Sequence, residues 1–235
     1  MRTIQLLLFF ILIAIAIRVR SQVSIRLSDN VTLGWHPNIE TYFIAERLAV
    51  QHIGNYVFTQ KDSLYKHQPL VYAAYHEFNA YVNSPCITRI AELLAYFRGT
   101  YYDNAEVIRY LVSRPTFPIY PYRRPFADSA IFHPEIYPAT LKLVGELADS
   151  LCSFYRSASV GKFLKRYRKY YQGAINEVRK GVRADWFKSM EDYYGEHFIA
   201  YRMYIMPLMP ITYGEDNYRA FGPVMHTANG KIAGM

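Results

Sequence analysis

The chain has 235 residues, 51% of them hydrophobic and 20% charged, which allows one domain or at most two small ones with a sizeable core. Its two cysteines exclude a miniprotein held by several disulfides and a Cys-rich zinc module. Three Arg lie in the first 21 residues. The remaining 24 Lys and Arg against 19 Asp and Glu leave a net charge of +5, too weak to indicate nucleic acid, which we do not expect as a partner.

The N-terminus has the pattern of an export signal. Arg2 is followed by an apolar run over residues 4–17 that only Gln5 interrupts. As a helix this run would be about 21 Å long, shorter than the roughly 30 Å hydrocarbon core of a bilayer, which favours a signal peptide over residues 1–21. Arg18 and Arg20 in the cleavage region leave an uncleaved membrane anchor as the alternative. Both interpretations make residues 22–235 periplasmic or secreted, with membrane contact only through an uncleaved N-terminal segment.

The next elements are a β-hairpin and a series of helices. Residues 23–27 and 31–35 have strand composition and flank the turn signal Ser28-Asp29-Asn30. Pro, Gly and capping residues then bound four predicted helices, over residues 39–50, 70–82, 85–99 and 103–114. Six Pro between residues 115 and 138 exclude a long helix there. Apolar residues at helical spacing predict helices over residues 139–155 and 160–182, and Asp185 caps a short one.

The C-terminal pattern is that of short strands. Residues 198–206 are rich in aromatic and β-branched residues, and residues 224–226 and 231–233 flank Asn229-Gly230, a strong hairpin-turn signal. The sequence therefore predicts an α+β fold. We expect a single, mostly helical domain over residues 22–235, with about six helices followed by a small C-terminal β unit.

The two cysteines leave two alternatives open. Cys86 and Cys152 both lie in predicted helices, and export would make them candidates for a disulfide. The other interpretation is a pair of buried thiols that act as small hydrophobic residues.

Known catalytic motifs are incomplete in this sequence. His76-Glu77 begins like the zinc-binding motif H-E-x-x-H, but position 80 is Ala, so the second imidazole is missing. Gly161-Lys162 lacks the earlier Gly and the following Ser or Thr of a phosphate-binding loop. We therefore assign no catalytic, cofactor-binding or metal-binding residue, and we expect no cofactor in this chain.

One predicted helix carries a run of basic residues on its outer side: Lys162, Lys165, Arg166, Arg168 and Lys169. Such a run could bind an acidic glycan, a lipid surface or a nucleic acid. The alternative is an ordinary solvated helix face. Tyr171 belongs to the inner, apolar stripe of the same helix, whereas Tyr170 does not.

Several short segments, taken in order and spacing, resemble a family of exported bacterial proteins with a domain of unknown function. The segments are Asp103-Asn104-Ala105, Phe154-Tyr155-Arg156-Ser157, Phe163-Leu164, Tyr170-Tyr171, Asp185-Trp186-Phe187, Tyr193-Tyr194-Gly195, Asn217-Tyr218 and Phe221-Gly222-Pro223. The family is found mainly in Bacteroidota, and its members look like zincin metallopeptidases. The resemblance implies a zincin-like fold, and for full-length relatives it implies zinc, an H-E-F-x-H-type helix and peptide or protein substrates.

The same resemblance implies that this chain is C-terminally truncated, because the sequence stops before such a helix. Ahead of the motif helix, a zincin has an edge strand that pairs with extended substrate. By resemblance, residues 218–233 are the candidate for this strand, with Asn217, Tyr218, Phe221 and Gly222 as substrate-strand candidates. An ordinary structural hairpin is the alternative.

Three functional hypotheses follow. The first is an exported protein that resembles zinc metallopeptidases but is catalytically inactive, because it cannot assemble the metal site. The second is a cell-envelope binding or interaction module that uses the basic helix and exposed Tyr residues. The third is an envelope-anchored structural protein.

Overall fold

The computed structural model describes residues 24–53, 68–99, 104–119, 137–183, 185–195, 197–209, 224–226 and 232–234. Helices cover one face of a small mixed sheet, which confirms the predicted α+β class. The predicted signal peptide lies outside the described residues. Among the helices that are described, none is both long and apolar enough to cross a bilayer.

Eight α-helices are described, against about six in the predicted architecture; the seven ranges predicted individually correspond to them, with residues 160–182 forming two helices. Their bounds are α1 Pro37–Ala49, α2 Pro69–Phe78, α3 Pro85–Gly99, α4 Asn104–Val112, α5 Tyr137–Ser157, α6 Val160–Arg166, α7 Arg168–Gly181 and α8 Asp185–Tyr194. Short 3₁₀ turns extend α1 over Val50–His52 and α2 over Asn79–Tyr81.

The predicted helix over residues 160–182 is two helices, α6 and α7, divided at Tyr167. Its inner residues Phe163, Tyr167, Tyr171 and Ile175 recur every four positions. On a straight helix of 3.6 residues per turn, each of them would be rotated about 40° from the one before. The break at Tyr167 lets Phe163 in α6 and both Tyr171 and Ile175 in α7 be buried.

Five strands form one sheet in the spatial order β1-β2-β3-β4-β5. They are β1 Ser24–Arg26, β2 Val31–Gly34, β3 Ala200–Tyr204, β4 Val224–His226 and β5 Ile232–Gly234. All neighbours are antiparallel except β2 and β3, which are parallel and are joined in sequence through the helical region.

The sheet corrects one part of the sequence prediction. The sequence prediction placed a β unit at the C-terminus and did not assign the N-terminal hairpin β1–β2 to it, but in the structure β2 pairs with β3 along its whole length, with Leu33 opposite Met203. Because Val31, Leu33 and Tyr201 are buried while Arg202 on the other face is exposed, the sheet buries one face against the helices. Hydrophobic patterning indicates which face of each strand is buried, but it does not indicate which strands pair with one another.

Helix α1 forms the centre of the molecule. Every residue of α1 is buried, and the helix packs against α2, α3, α4, α5 and α6. Its polar residues Asn38, Glu40, Thr41, Glu46 and Arg47 are spread around the helix and form no single polar face that could be turned to water. Those polar residues are therefore buried with the rest of the helix, and Glu40, which carries the argument below, is one of them.

Candidate functional site

The basic residues of α6 and α7 form the most strongly charged surface that the structure describes. Residues 160–183, which we call the basic segment, contain eight Lys or Arg and a single acidic residue, Glu177. Their net charge is therefore +7, against +8 for the whole chain. Four of the basic side chains lie within eight consecutive positions and are all exposed; we call them the basic face: Lys162, Lys165, Arg168 and Lys169.

No ion pair of Lys162, Lys165, Arg168 or Lys169 is found among the described residues. The ion pairs of this segment use other cations: Arg166 pairs with Glu77, Lys180 with Glu177 and Arg183 with Asp185. Like charges this close together repel one another, and an anionic partner relieves that repulsion. The exposed ring of Tyr170 lies directly after the last Lys of this surface.

The helices that carry the basic face, α6 and α7, are fixed to the core through their buried side chains. Tyr171 stacks on Trp35 with ring centroids 4.4 Å apart and an interplanar angle of 24°. Its hydroxyl donates a 2.6 Å hydrogen bond to Glu40 Oε2 of α1, and the Leu208 N–H donates to the same oxygen at 3.2 Å. Phe163 of α6 packs edge-on against Phe78 of α2. The basic side chains therefore project from a rigid base.

A second tether joins α6 to α2. The Arg166 guanidinium donates to both carboxylate oxygens of Glu77, at 2.6 and 3.2 Å. The two side chains remain substantially exposed, so this pair contributes little to stability and serves mainly to position Arg166. The incomplete zinc motif is thereby explained, because Glu77 holds Arg166 and His76 is an exposed helix residue beside the Tyr72 ring.

The Glu40 carboxyl is completely buried, and burial raises its pKa to about 8 against the hydrogen bonds from Tyr171 and Leu208, which lower it. This pKa favours the protonated form at neutral pH, which avoids the cost of burying a charge. Both hydrogen bonds go to Oε2, and Oε1 has no hydrogen-bond partner among the described residues. No motif in the sequence marks Glu40. The absence of a polar face on α1 is the one pattern that indicates the burial of this residue.

The four substrate-strand candidates, Asn217, Tyr218, Phe221 and Gly222, lie outside the described residues. Part of their segment is described as β4, which pairs with β3 on one side and β5 on the other. Among the described strands, β5 and β1 form the two edges of the sheet. Pairing of this segment with substrate stays a prediction.

The two cysteines are free thiols in this structure, Cys86 half-buried and Cys152 buried. The Cys86 thiol lies 3.2 Å from the Ser84 hydroxyl. Burial raises the pKa of the Cys152 thiol, which favours its neutral form.

Within the described part of the chain, no three His, Cys, Asp or Glu side chains come together in a way that could hold a metal ion. Comparisons with protein-family models, with curated proteins and with solved structures gave no match. The likeness to zincin metallopeptidases therefore stays a prediction from the sequence, and function has to be inferred from the surface itself.

Proposed function

We propose that this protein is a binding module of the cell envelope whose basic face takes a polyanion, a ligand with repeated phosphate, sulfate or carboxylate groups. The observation that carries the proposal is the concentration of +7 net charge in residues 160–183, with four exposed cations close together in α6 and α7. An acidic glycan and an anionic lipid surface share the required chemistry. Envelope location rests on the export signal predicted over residues 1–21.

The proposal also explains why the surface is held firmly. A multivalent anion gains most from cations that are already in place, because less side-chain and backbone entropy is lost on binding. The Trp35–Tyr171 stack and the Glu40–Tyr171 hydrogen bond fix α7, and the buried contact of Phe163 with Phe78 fixes α6.

Charge reversal on the basic face tests this function. We expect Lys165→Glu and Lys169→Glu each to weaken binding to immobilised heparin, a sulfated polyanion, by about threefold to tenfold at low salt. The reason is that each exchange removes one attractive contact and adds a repulsive one. Elution by a salt gradient and titration at several ionic strengths give the affinities and their salt dependence.

Lys142→Glu is the matched control, because Lys142 is also an exposed lysine within a helix, in α5, and the substitution changes the net charge by the same amount. We expect it to weaken heparin binding less than twofold, within the range of long-range charge effects alone. Equal losses in all three variants would show that only net charge matters, and the proposed basic face would then be wrong.

A further inference from the structure

A row of exposed apolar side chains runs along one side of α8. Trp186, Met190 and Tyr193 stand at positions i, i+4 and i+7, which lie on one face of a helix, and their exposed fractions are 50%, 39% and 82%. We call these three residues the α8 stripe. Large apolar side chains are common singly on surfaces, but a contiguous row that contains Trp and Tyr is typical of an interaction surface.

The α8 stripe stays outside because a neighbouring side of the helix, about 100° around from it, is fixed to the sheet. Phe187 is buried against Val31 and Tyr201. Glu191, one turn further along, accepts a 2.7 Å hydrogen bond from the Tyr201 hydroxyl and a 3.2 Å hydrogen bond from the Phe198 N–H. Exposure of the stripe is thus a consequence of how α8 is anchored.

The stripe begins where the basic segment ends. The Trp186 N–H donates a hydrogen bond to the Arg183 carbonyl at 3.2 Å, and the Arg183 side chain binds the carboxylate of Asp185 at the start of α8. Within α8 itself, Lys188 is the single basic residue beside Asp185, Glu191 and Asp192, so the positive charge next to the stripe comes from the basic segment. Apolar and basic groups therefore adjoin along residues 160–193.

We propose that the anionic partner is a membrane surface, with the α8 stripe inserted at the interface and the basic segment against acidic headgroups. This inference rests on the proposed function and narrows its ligand from any polyanion to anionic lipid. Trp and Tyr rings favour the boundary between headgroups and acyl chains, and nearby Lys and Arg add electrostatic attraction to acidic lipids. An acidic glycan would use the cations but offers nothing apolar for Trp186 and Met190.

Vesicle sedimentation separates the two sources of negative charge. We expect the wild-type protein to bind phosphatidylcholine vesicles that contain phosphatidylglycerol, and to bind pure phosphatidylcholine vesicles far more weakly. The variant Trp186→Ser/Met190→Ser should partition into these vesicles about tenfold more weakly, because it lacks the apolar area that the wild type buries in the membrane. Its heparin affinity should stay within twofold of wild type. Tyr72→Ser/Ile119→Ser is the matched control, because it removes two exposed apolar side chains from other elements and should leave vesicle binding unchanged.

Intrinsic fluorescence gives a second readout. The chain has two Trp, and Trp35 is buried under Tyr171, so Trp186 is the one that lipid can reach. We expect vesicles with brominated acyl chains to quench the emission, and Trp186→Phe, which keeps Trp35, to remove that quenching.

The possible results distinguish membrane binding from binding of other polyanions and from self-association. Equal vesicle binding by wild type and Trp186→Ser/Met190→Ser, or heparin binding with no vesicle binding, would overturn the membrane inference and leave the polyanion function standing. Failure to bind either probe would overturn both. Concentration-dependent dimers that the stripe variant abolishes, without vesicle binding, would overturn it in favour of a second copy of the chain as the occupant.

Discussion

Asn38→Ala is expected to lower the free energy of unfolding by about 3–5 kcal/mol. Asn38 is fully buried in the first turn of α1 and uses both ends of its amide group. Its Nδ2 donates at 3.0 Å to the carbonyls of Leu111 and Pro115, and its Oδ1 accepts from the Phe117 N–H at 2.8 Å. One side chain thus binds three backbone groups at the end of α4 and in the chain that follows it.

The cost is large because alanine removes three hydrogen bonds at once and leaves the buried Phe117 N–H without its Asn38 acceptor. An unsatisfied buried group costs about 1–3 kcal/mol, which is more than the net gain from forming one such bond. Chemical denaturation followed by far-UV circular dichroism measures the change. Asn38→Asp keeps the shape and the acceptor but loses both donors, so we expect a loss at least as large.

Asn176→Ala is the control for this prediction, since Asn176 is exposed on α7 and accepts a single hydrogen bond from Gln172. We expect it to change the free energy of unfolding by less than about 0.5 kcal/mol. A loss below about 1 kcal/mol for Asn38→Ala would contradict the role that we assign to the buried amide.

The free energy of unfolding is expected to be highest between about pH 4.5 and 6.5 and to fall by about 2 kcal/mol on each side, towards pH 3 and pH 8. Two groups near the start of α1 cause this. Burial raises the pKa of Glu40 from 4.5 to about 8. Burial, followed by the charge of Arg202, lowers the pKa of His36 from 6.5 to about 3.

The signs of the two effects are opposite. Between pH 4.5 and about 8 the folded protein holds the Glu40 proton and the unfolded chain has lost it, so stability falls as the pH rises. Between about pH 3 and 6.5 the unfolded chain protonates His36 and the folded protein does not, so stability falls as the pH drops. From pH 4.5 to 6.5 the two slopes cancel, which produces the plateau.

Two substitutions separate these contributions in denaturation curves recorded at each pH. Glu40→Gln keeps an acceptor for the Tyr171 hydroxyl and the Leu208 N–H but cannot ionise, so the fall above pH 6.5 should disappear. His36→Gln removes the imidazole that accepts from the Asn38 N–H at 3.3 Å, and the fall below pH 4.5 should shrink. A Glu40→Gln curve with the same alkaline slope as wild type would show that Glu40 is ionised in the folded protein.

These predictions bear on the proposed function because Glu40 lies beneath the basic face. Its carboxyl accepts the hydrogen bond that anchors Tyr171, and Tyr171 follows the exposed Arg168 and Lys169 in α7. Replacement of Tyr171 by Phe keeps the ring that stacks on Trp35 but removes this bond. Through its bond to Tyr171 of α7, Glu40 thus links the stability of the core to the basic face.

Local patterns in the sequence predicted most elements within a few residues. The turn signal at Ser28-Asp29-Asn30 indicated the β1–β2 hairpin, and the strand predicted over residues 224–226 has the same bounds as β4. Pro85 and Gly99 bound α3 at both ends, as expected from their backbone preferences. The basic run on the outer side of α6 and α7 was also evident, because charged residues avoid the apolar stripe.

Contacts between residues far apart in the sequence could not be predicted from local patterns. The parallel pairing of β2 with β3 joins segments about 170 positions apart, and no local pattern specifies it. The burial of Glu40 and its bond to Tyr171, 131 positions away, likewise depend on which helices meet at α1.

By itself, the sequence determined where helices and strands form, which of their faces are apolar, and that one segment carries most of the net charge. These properties depend on neighbours within a turn or two of the chain. Only the tertiary structure decided that α1 is enclosed on all sides, that Glu40 is neutral, and that Trp186, Met190 and Tyr193 remain exposed on α8. Exposure and pKa depend on the atoms that surround a side chain, and those atoms come from distant parts of the sequence.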